Sequence, residues 1–273
     1  MVATSDWAGE LGQHWAARNE DFDRILRPAG DAGLRALGNV SGLKVLDVGC
    51  GGGQSSHALT KAGAVVTGVD VSGDMLDLAR SNGSSETFLL ADASVDELGG
   101  PYDALFSRFG AQFFEDPANG WAHIRTFMAD DGRAVLVVWC DADANPWASV
   151  PDRVFAEITG ARPNPFQTGV PGPFAWSDPD YAAEVLRAAG WKDLSINAWQ
   201  GRLELFLNGP PDALTRGVWG AMHLGPVSSR LRDTPPAHKE AVAEALREKL
   251  QHYMDGNTVR MPAAAWVIQM WAN

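Results

Sequence analysis

The feature that most constrains this chain is a short apolar strand that breaks into glycines at residues 45–53, with the sequence VLDVGCGGG. Glycine has no Cβ and tolerates positive φ, so a ligand can approach the bare main chain of such a turn. The residues from Gln54 onward are compatible with a helix, and the first N–H groups of a helix attract negative charge. We therefore expect an anionic or zwitterionic cofactor at this strand-to-helix turn.

Two common nucleotide-binding motifs that use a glycine turn do not fit this one. The dinucleotide fingerprint beginning at Gly49 requires a third glycine at position 54, where the chain has Gln54. The P-loop requires a Gly-Lys-Ser/Thr sequence, which does not follow. What remains is an acidic residue, Asp47, two positions before the first of three alternating glycines, Gly49, Gly51 and Gly53.

The composition limits the class of substrate and the cellular setting. With 273 residues, 45% of them hydrophobic, the chain can bury one substantial core, or one core with a smaller subdomain. A net charge of −12 without a Lys/Arg cluster argues against a nucleic-acid partner. Cys50 and Cys140 suggest neither a disulfide framework nor a zinc site. The first thirty residues do not resemble a signal peptide, and no apolar run approaches a membrane span. We expect a cytoplasmic protein, acting on a small molecule and not on a membrane.

Strand and helix patterns alternate regularly through the first half of the chain. The predicted strands lie at residues 43–48, 64–69, 87–90, 102–107 and 133–139. The predicted helices lie at 54–62, 73–80 and 121–128. Such alternation predicts a mostly parallel, Rossmann-like α/β sheet covered by helices on both faces, with ligands at the carboxyl ends of its strands.

The second half has a different pattern, dense in Pro, Gly and aromatic residues. Its predicted elements are a short helix at 154–158, a helix at 179–189 capped by Asp178, a strand at 194–199, helices at 210–224 and 235–254, and a last strand at 264–271 that pairs with the strand before it. We divide the chain into an amino-terminal helical cap (1–40), a cofactor-binding core (41–140) and a remainder (141–273). The remainder completes the sheet and carries lid insertions at 141–180 and 208–256.

Polar residues follow successive predicted strands at the sheet edge where a ligand is expected. Asp70 ends the second strand, where a carboxylate can accept hydrogen bonds from ribose hydroxyls, and Val71 and Met75 can face an adenine. Asp92 and Ala93 follow the third strand and can bind adenine polar atoms. Taken alone, Asp70 is also compatible with a cap of the next helix, and Asp92 with an ordinary turn. Their order after a glycine turn favours a cofactor site.

The segment 43–139 resembles the class I S-adenosylmethionine-dependent methyltransferases, specifically the ubiquinone-biosynthesis-like group also called methyltransferase type 11. A bacterial subgroup carries motifs similar to SRFG at 107–110, NPW at 145–147 and GPF at 172–174. The resemblance implies a seven-stranded sheet and S-adenosylmethionine as the methyl donor, with S-adenosylhomocysteine as product and no metal. It leaves the acceptor open. The cofactor-binding residues expected on these grounds are Trp15, Asp47, Gly49, Gly51, Gly53, Asp70, Val71, Met75, Asp92, Ala93 and Ser107.

The chain has eleven tryptophans, several of them in segments expected to cover the carboxyl edge of the sheet. We therefore expect a small apolar or aromatic acceptor. The candidate wall residues are Phe109, Phe113, Trp139, Trp147 and Phe174, for each of which ordinary packing is the alternative. His14 and His223 are candidate general bases, with a surface or packing role as the alternative. Arg108 needs a carboxylate partner, which can be a ligand or a structural acid such as Asp47.

Two other functions share part of this pattern. An NAD-dependent oxidoreductase would also use Asp70, but Gln54 and the acid at Asp92 disfavour it. A non-catalytic S-adenosylmethionine-binding protein would keep the cofactor motifs and lack an acceptor pocket. The sequence is compatible with either a monomer or a homodimer.

Overall fold

The computed structural model describes residues 2, 4–81, 85–205 and 212–273, and these form a sheet flanked by helices. The strands are β1 (Lys44–Val48), β2 (Val65–Asp70), β3 (Thr87–Leu90), β4 (Tyr102–Arg108), β5 (Met128–Trp139), β6 (Lys192–Glu204), β7 (Met254–Asp255) and β8 (Thr258–Trp271). The helices are α1 (Thr4–Trp7), α2 (Glu10–Ala16), α3 (Asn19–Leu37), α4 (Gln54–Lys61), α5 (Gly73–Ser81), α6 (Pro117–Arg125), α7 (Pro146–Thr159), α8 (Pro179–Ala188), α9 (Ala213–His223), α10 (Val227–Arg232) and α11 (Pro236–Leu250).

The described strands lie in the order β3-β2-β1-β4-β5-β8-β6, with the two-residue β7 paired to β8. The first five strands in this order are parallel to one another, and β8 is antiparallel to both β5 and β6. The carboxyl ends of β1 to β5 therefore meet along one edge. This confirms the predicted Rossmann-like sheet, with seven strands in the main order, and the predicted pairing of the last strand with the sixth.

Alternating side chains of the sheet divide the core into two layers. Val45 and Leu46, adjacent on β1, are both fully buried, and they belong to separate apolar clusters. One cluster includes Phe22 and Ile25 of α3, and the other includes Trp121, in the middle of α6. Helices therefore cover both faces of the sheet, because successive apolar side chains of a strand point to opposite faces and both must be buried.

Several predicted boundaries differ from those observed. Strand β5 begins at Met128, in a segment predicted as helix, and β6 and β8 are each longer than predicted. Helix α7 begins at Pro146, well before the predicted residue 154. Proline has no N–H group, and the first position of a helix does not need one. Pro146 is therefore compatible with the start of a helix in a segment that we predicted as loop.

Two further predictions concern helices. Asp178 caps α8 by accepting from the Asp180 amide at 2.9 Å, as predicted. The predicted starts of the second insertion at 208 and of its helix at 210 lie outside the described residues; the described helix α9 begins at Ala213.

No helix among the described residues has both the length and the apolar character needed to cross a bilayer. The division into cap, core and lid stays a prediction.

Candidate functional site

The glycine turn after β1 has the backbone geometry that only glycine adopts easily. Gly49, Gly51 and Gly53 have φ values of 69°, 54° and 84°. A Cβ on Gly49 would lie 2.9 Å from the Gly110 Cα, so the turn also packs directly against the chain that leaves β4. Helix α4 begins at Gln54, immediately after the turn, and its first N–H groups have no carbonyl in a preceding turn.

Asp70 organises this turn from the end of the neighbouring strand. Its Oδ2 accepts from the Gly51 amide at 2.9 Å, and its Oδ1 accepts from the Ser72 amide at 2.9 Å. Burial raises the pKa of Asp70, while these amide hydrogen bonds lower it. Asp70, Val71 and Met75 all line the cavity described below. Each carboxylate oxygen has a second lone pair for a ligand.

Asp47 lies beneath the turn and not on the cavity wall. It is fully buried, and its Oδ2 accepts from the hydroxyls of Ser55 at 2.7 Å and Ser56 at 2.6 Å. Burial raises its pKa, and those two hydroxyl hydrogen bonds lower it. Asp47 thus fixes the start of helix α4 beneath the glycines, and the surface offered to a ligand comes from the glycines themselves.

The residues predicted after the next strands divide between wall and support. Ala93 and Phe109 line the cavity, whereas Asp92 and Ser107 do not. The Asp92 Oδ1 accepts from both the amide and the hydroxyl of Ser94, at 2.9 and 2.6 Å. Ser107 is fully buried and donates to the Val48 carbonyl at 2.8 Å, which joins β4 to the end of β1.

A cavity of about 550 Å³ opens at the carboxyl edge of the sheet beside the glycine turn. The turn and the end of β4 form its floor. Three segments cover it: the amino-terminal residues 2 and 4–15, the loop 164–175 and the segment 224–230. The cover is tied together, since the Val2 amide donates to the Pro171 carbonyl at 2.9 Å and the Thr4 hydroxyl donates to the Phe113 carbonyl at 3.1 Å.

An aromatic row lines this cavity, formed by Phe109, Trp139, Trp147, Phe174 and Phe166. Consecutive ring centroids are 4.0, 4.9, 6.1 and 5.0 Å apart. The first two rings are stacked at an interplanar angle of 15°. Four of the predicted wall residues belong to this row, and the fifth, Phe113, lines the cavity beneath Trp7.

Arg108 lines the cavity, and its partner is a structural acid on helix α3. Its Nη1 donates to Asp23 Oδ1 of helix α3 at 2.8 Å, and Arg27 binds the other oxygen of Asp23 at 2.7 Å. Arg108 therefore pairs with a structural acid, which is Asp23 and not Asp47, the example named from the sequence. Asp47 lies on β1 beneath the glycines, with its bonded oxygen held by serines, whereas the Arg108 side chain extends toward α3.

His14 and His223 lie together beside the cavity, and neither lines it. Their rings are parallel, with centroids 6.4 Å apart, and Arg18 donates to the His14 Nδ1 at 3.3 Å. Burial lowers the pKa of His14, and Arg18 lowers it further; burial also lowers the pKa of His223. They join helix α2 to helix α9. Trp15, next to His14, does line the cavity and packs on Phe22, with ring centroids 4.2 Å apart.

Sequence reasoning missed several residues of the cavity, because they come from distant parts of the chain. Asn19, at the start of α3, packs so closely on the turn that a Cβ on Gly52 would lie 2.5 Å from its Oδ1. Gln112 and Arg230 also line the cavity. Arg230 is held by an ion pair with the buried Asp152 and lies over the ring of Phe155. No spacing in the sequence indicates that these segments meet.

Comparison with known proteins agrees with this geometry. A family model described as a methyltransferase domain matches residues 46–136. The demethylmenaquinone methyltransferase of Renibacterium salmoninarum is 26% identical over 176 residues, which are 62% of this chain and 74% of that protein. The ubiquinone biosynthesis O-methyltransferase of Shewanella halifaxensis is 42% identical over 74 residues, 25% of this chain and 31% of that protein.

The fold is also shared with solved structures. The magnesium protoporphyrin IX methyltransferase of Synechocystis PCC 6803, solved with bound S-adenosylhomocysteine, aligns with a TM-score of 0.51 at 22% identity. The alignment covers 73% of this chain and 90% of that one. The matched family segment contains the end of β1, strands β2 to β4, the glycine turn, Asp70 and the first residue of the aromatic row, Phe109. Residues 46–136 of this chain therefore match a methyltransferase domain, and the chain shares the fold of solved methyltransferases.

Proposed function

We propose that the chain transfers the methyl group of S-adenosylmethionine to a small apolar or aromatic acceptor. The observation that carries this proposal is the aromatic row, which begins at Phe109, directly beside the glycine turn, and continues along the same cavity. One cavity thus combines a backbone surface suited to a zwitterionic cofactor with an aromatic surface suited to an uncharged ring. The quinone-related names of the two relatives are compatible with such an acceptor.

The residues present fit the cofactor. The methionine part of the cofactor would bind at Gly49, Gly51 and the first amides of α4. The glycines have no side chain to block its approach, and the free N–H groups at the start of the helix attract its carboxylate. Asp70 would accept from the ribose hydroxyls with its remaining lone pairs. Val71, Met75 and Ala93 would contact the adenine, and Asp92, which does not line the cavity, would hold the loop beside Ala93 through its hydrogen bonds with Ser94. Asp47, Gly53 and Ser107 would support this surface from below.

When bound, S-adenosylmethionine supplies a methyl group on a sulfonium, which is already a strong electrophile. The chain therefore has mainly to provide proximity, orientation and a dry site. The aromatic row would orient the acceptor, while the amino-terminal segment, with Trp15, would exclude water. His14 and His223 do not line the cavity, so they are better suited to joining the covering segments than to acting as the base.

Calorimetry with S-adenosylmethionine, S-adenosylhomocysteine and NAD tests the cofactor. We expect binding of the first two and none of NAD; binding of NAD alone would favour an oxidoreductase. Turnover to S-adenosylhomocysteine is then measured with phenols, amines, thiols and carbon acids. Turnover with apolar aromatic members supports the proposal. Cofactor binding with no turnover across the whole panel would favour a non-catalytic binding protein.

A further inference from the structure

Phe109 holds a backbone conformation that a residue of its kind rarely adopts. Its φ is 59°, in the left-handed region, where a Cβ crowds the adjacent carbonyl. Only Phe109, Phe166 and Asp193 share this feature among the non-glycine residues that the structure describes. Such strain persists where surrounding contacts impose it, and it is concentrated at functional sites.

The contacts on both sides of Phe109 explain why it is held there. Its amide donates to the Val137 carbonyl at 2.8 Å, which continues the β4–β5 ladder through the strained residue. The next residue, Gly110, packs against the Gly49 turn. The chain must therefore bend sharply between sheet and turn, and the bend places the Phe109 side chain on the cavity wall.

The ring of Phe109 is fixed as well as the backbone. It is 8% exposed and lies flat against Trp139, at an interplanar angle of 15° and a centroid distance of 4.0 Å. Among the five rings of the row, it is the one next to the glycine turn, where the methyl donor would be held. A strand end that needed only apolar packing would be satisfied by leucine, which supplies similar apolar volume without a flat face.

We propose that Phe109 is the specificity-determining residue for the acceptor, and that it selects planar aromatic rings over saturated apolar molecules of the same size. This inference rests on the proposed function, because it assigns the acceptor to the same cavity. The Phe109 face, kept parallel to Trp139, presents a flat surface for offset stacking. The remaining rings supply apolar area that a saturated molecule can use equally well.

The test compares binding of 1-naphthol with that of its saturated analogue, decahydro-1-naphthol, by calorimetry with S-adenosylhomocysteine present. The wild-type protein should prefer the aromatic probe by about tenfold. Phe109→Leu should reduce the preference to about twofold or less. Phe109→Tyr, which keeps the aromatic face, should retain the preference of the wild type. Phe166→Leu is the matched control, because it makes the same exchange at a left-handed phenylalanine at the far end of the row, and it should keep the preference.

Each result bears on the inference. A wild-type protein without aromatic preference, or a Phe109→Leu variant that keeps it, overturns the proposal. Equal losses in the Phe109 and Phe166 variants also overturn it, because the selection would then belong to the row as a whole. Affinity for S-adenosylhomocysteine is measured in every variant. Failure to bind it in the wild type would count against the proposed function itself, which separates the two failures.

Discussion

Arg108 at the end of β4 and Asp23 on α3 form a buried ion pair with an Nη1–Oδ1 distance of 2.8 Å, and both residues line the cavity. Their side chains are 13% and 5% exposed. The pair ties the amino-terminal helices to the centre of the sheet at the floor of the site. A structural role and a ligand-binding role for Arg108 therefore make different predictions.

Arg108→Ala should lower the free energy of unfolding by about 3 kcal/mol, because it leaves the Asp23 carboxylate buried with only Arg27 as partner. Urea unfolding measures this. The control is Arg24→Ala, which removes an exposed pair with Glu20 on the same helix and should cost at most about 1 kcal/mol. Equal losses in the two variants would contradict the structural role. Unchanged cofactor affinity and turnover in a folded Arg108 variant would exclude Arg108 from the site.

Asp70→Asn should weaken binding of S-adenosylhomocysteine by about ten- to hundredfold, because the neutral amide cannot accept at both of its terminal atoms. The Gly51 and Ser72 amides would compete for a single acceptor, and the ribose would lose its partner. Calorimetry measures this loss. Asp131→Asn, at an exposed position near the amino end of β5 and outside the cavity, should leave the affinity unchanged. Undiminished binding in the Asp70 variant would refute the assigned contact.

Gly49→Ala should abolish cofactor binding and destabilise the fold, because the new Cβ would lie 2.9 Å from the Gly110 backbone at a φ of 69°. Gly38→Ala is the matched control: its φ is 79°, but a Cβ there meets nothing within 4 Å. The control should cost about 1 kcal/mol from backbone strain alone. Thermal unfolding and calorimetry distinguish the two effects. A Gly49 variant no worse than the control would mean that the turn can relax.

The His14–His223 contact should weaken in acid. Burial lowers the folded-state pKa of both histidines below the ordinary value, so the folded protein favours their neutral forms. Their contribution to stability is complete above about pH 6.5 and is lost as the pH falls from there toward the lowered folded-state values.

Melting temperature measured from pH 7.5 to 5 should therefore fall less in a His14→Gln, His223→Gln double variant than in the wild type. The charged groups near this contact are Arg18, Arg232 and Glu10, which pairs with Arg232. Because both arginines are positively charged, they disfavour protonation of His14. His238→Gln, at an exposed position, should follow the wild-type curve. Parallel curves for the double variant and the wild type would contradict the prediction.

The sequence predicted what local rules determine. The turn glycines and Asp70 are adjacent in sequence or at the ends of neighbouring strands, and parallel-sheet topology then brings them to one edge. Contacts between distant segments could not be predicted in this way. Asp23 as the partner of Arg108, and Asn19 against Gly52, depend on how α3 docks on the sheet, which no spacing in the sequence encodes.

The position of β8 has a consequence for how the molecule assembles. Among the strands that the structure describes, β6 pairs only with β8, which lies between β6 and β5. During synthesis, residues 192–204 therefore have no strand to join until residues 258–271 have emerged from the ribosome. The half of the sheet that holds the cofactor turn can form early from neighbouring segments. Completion of the other half must wait for β8, whose pairing with β5 joins residues as far apart as Arg133 and Trp271, and such distant contacts slow folding.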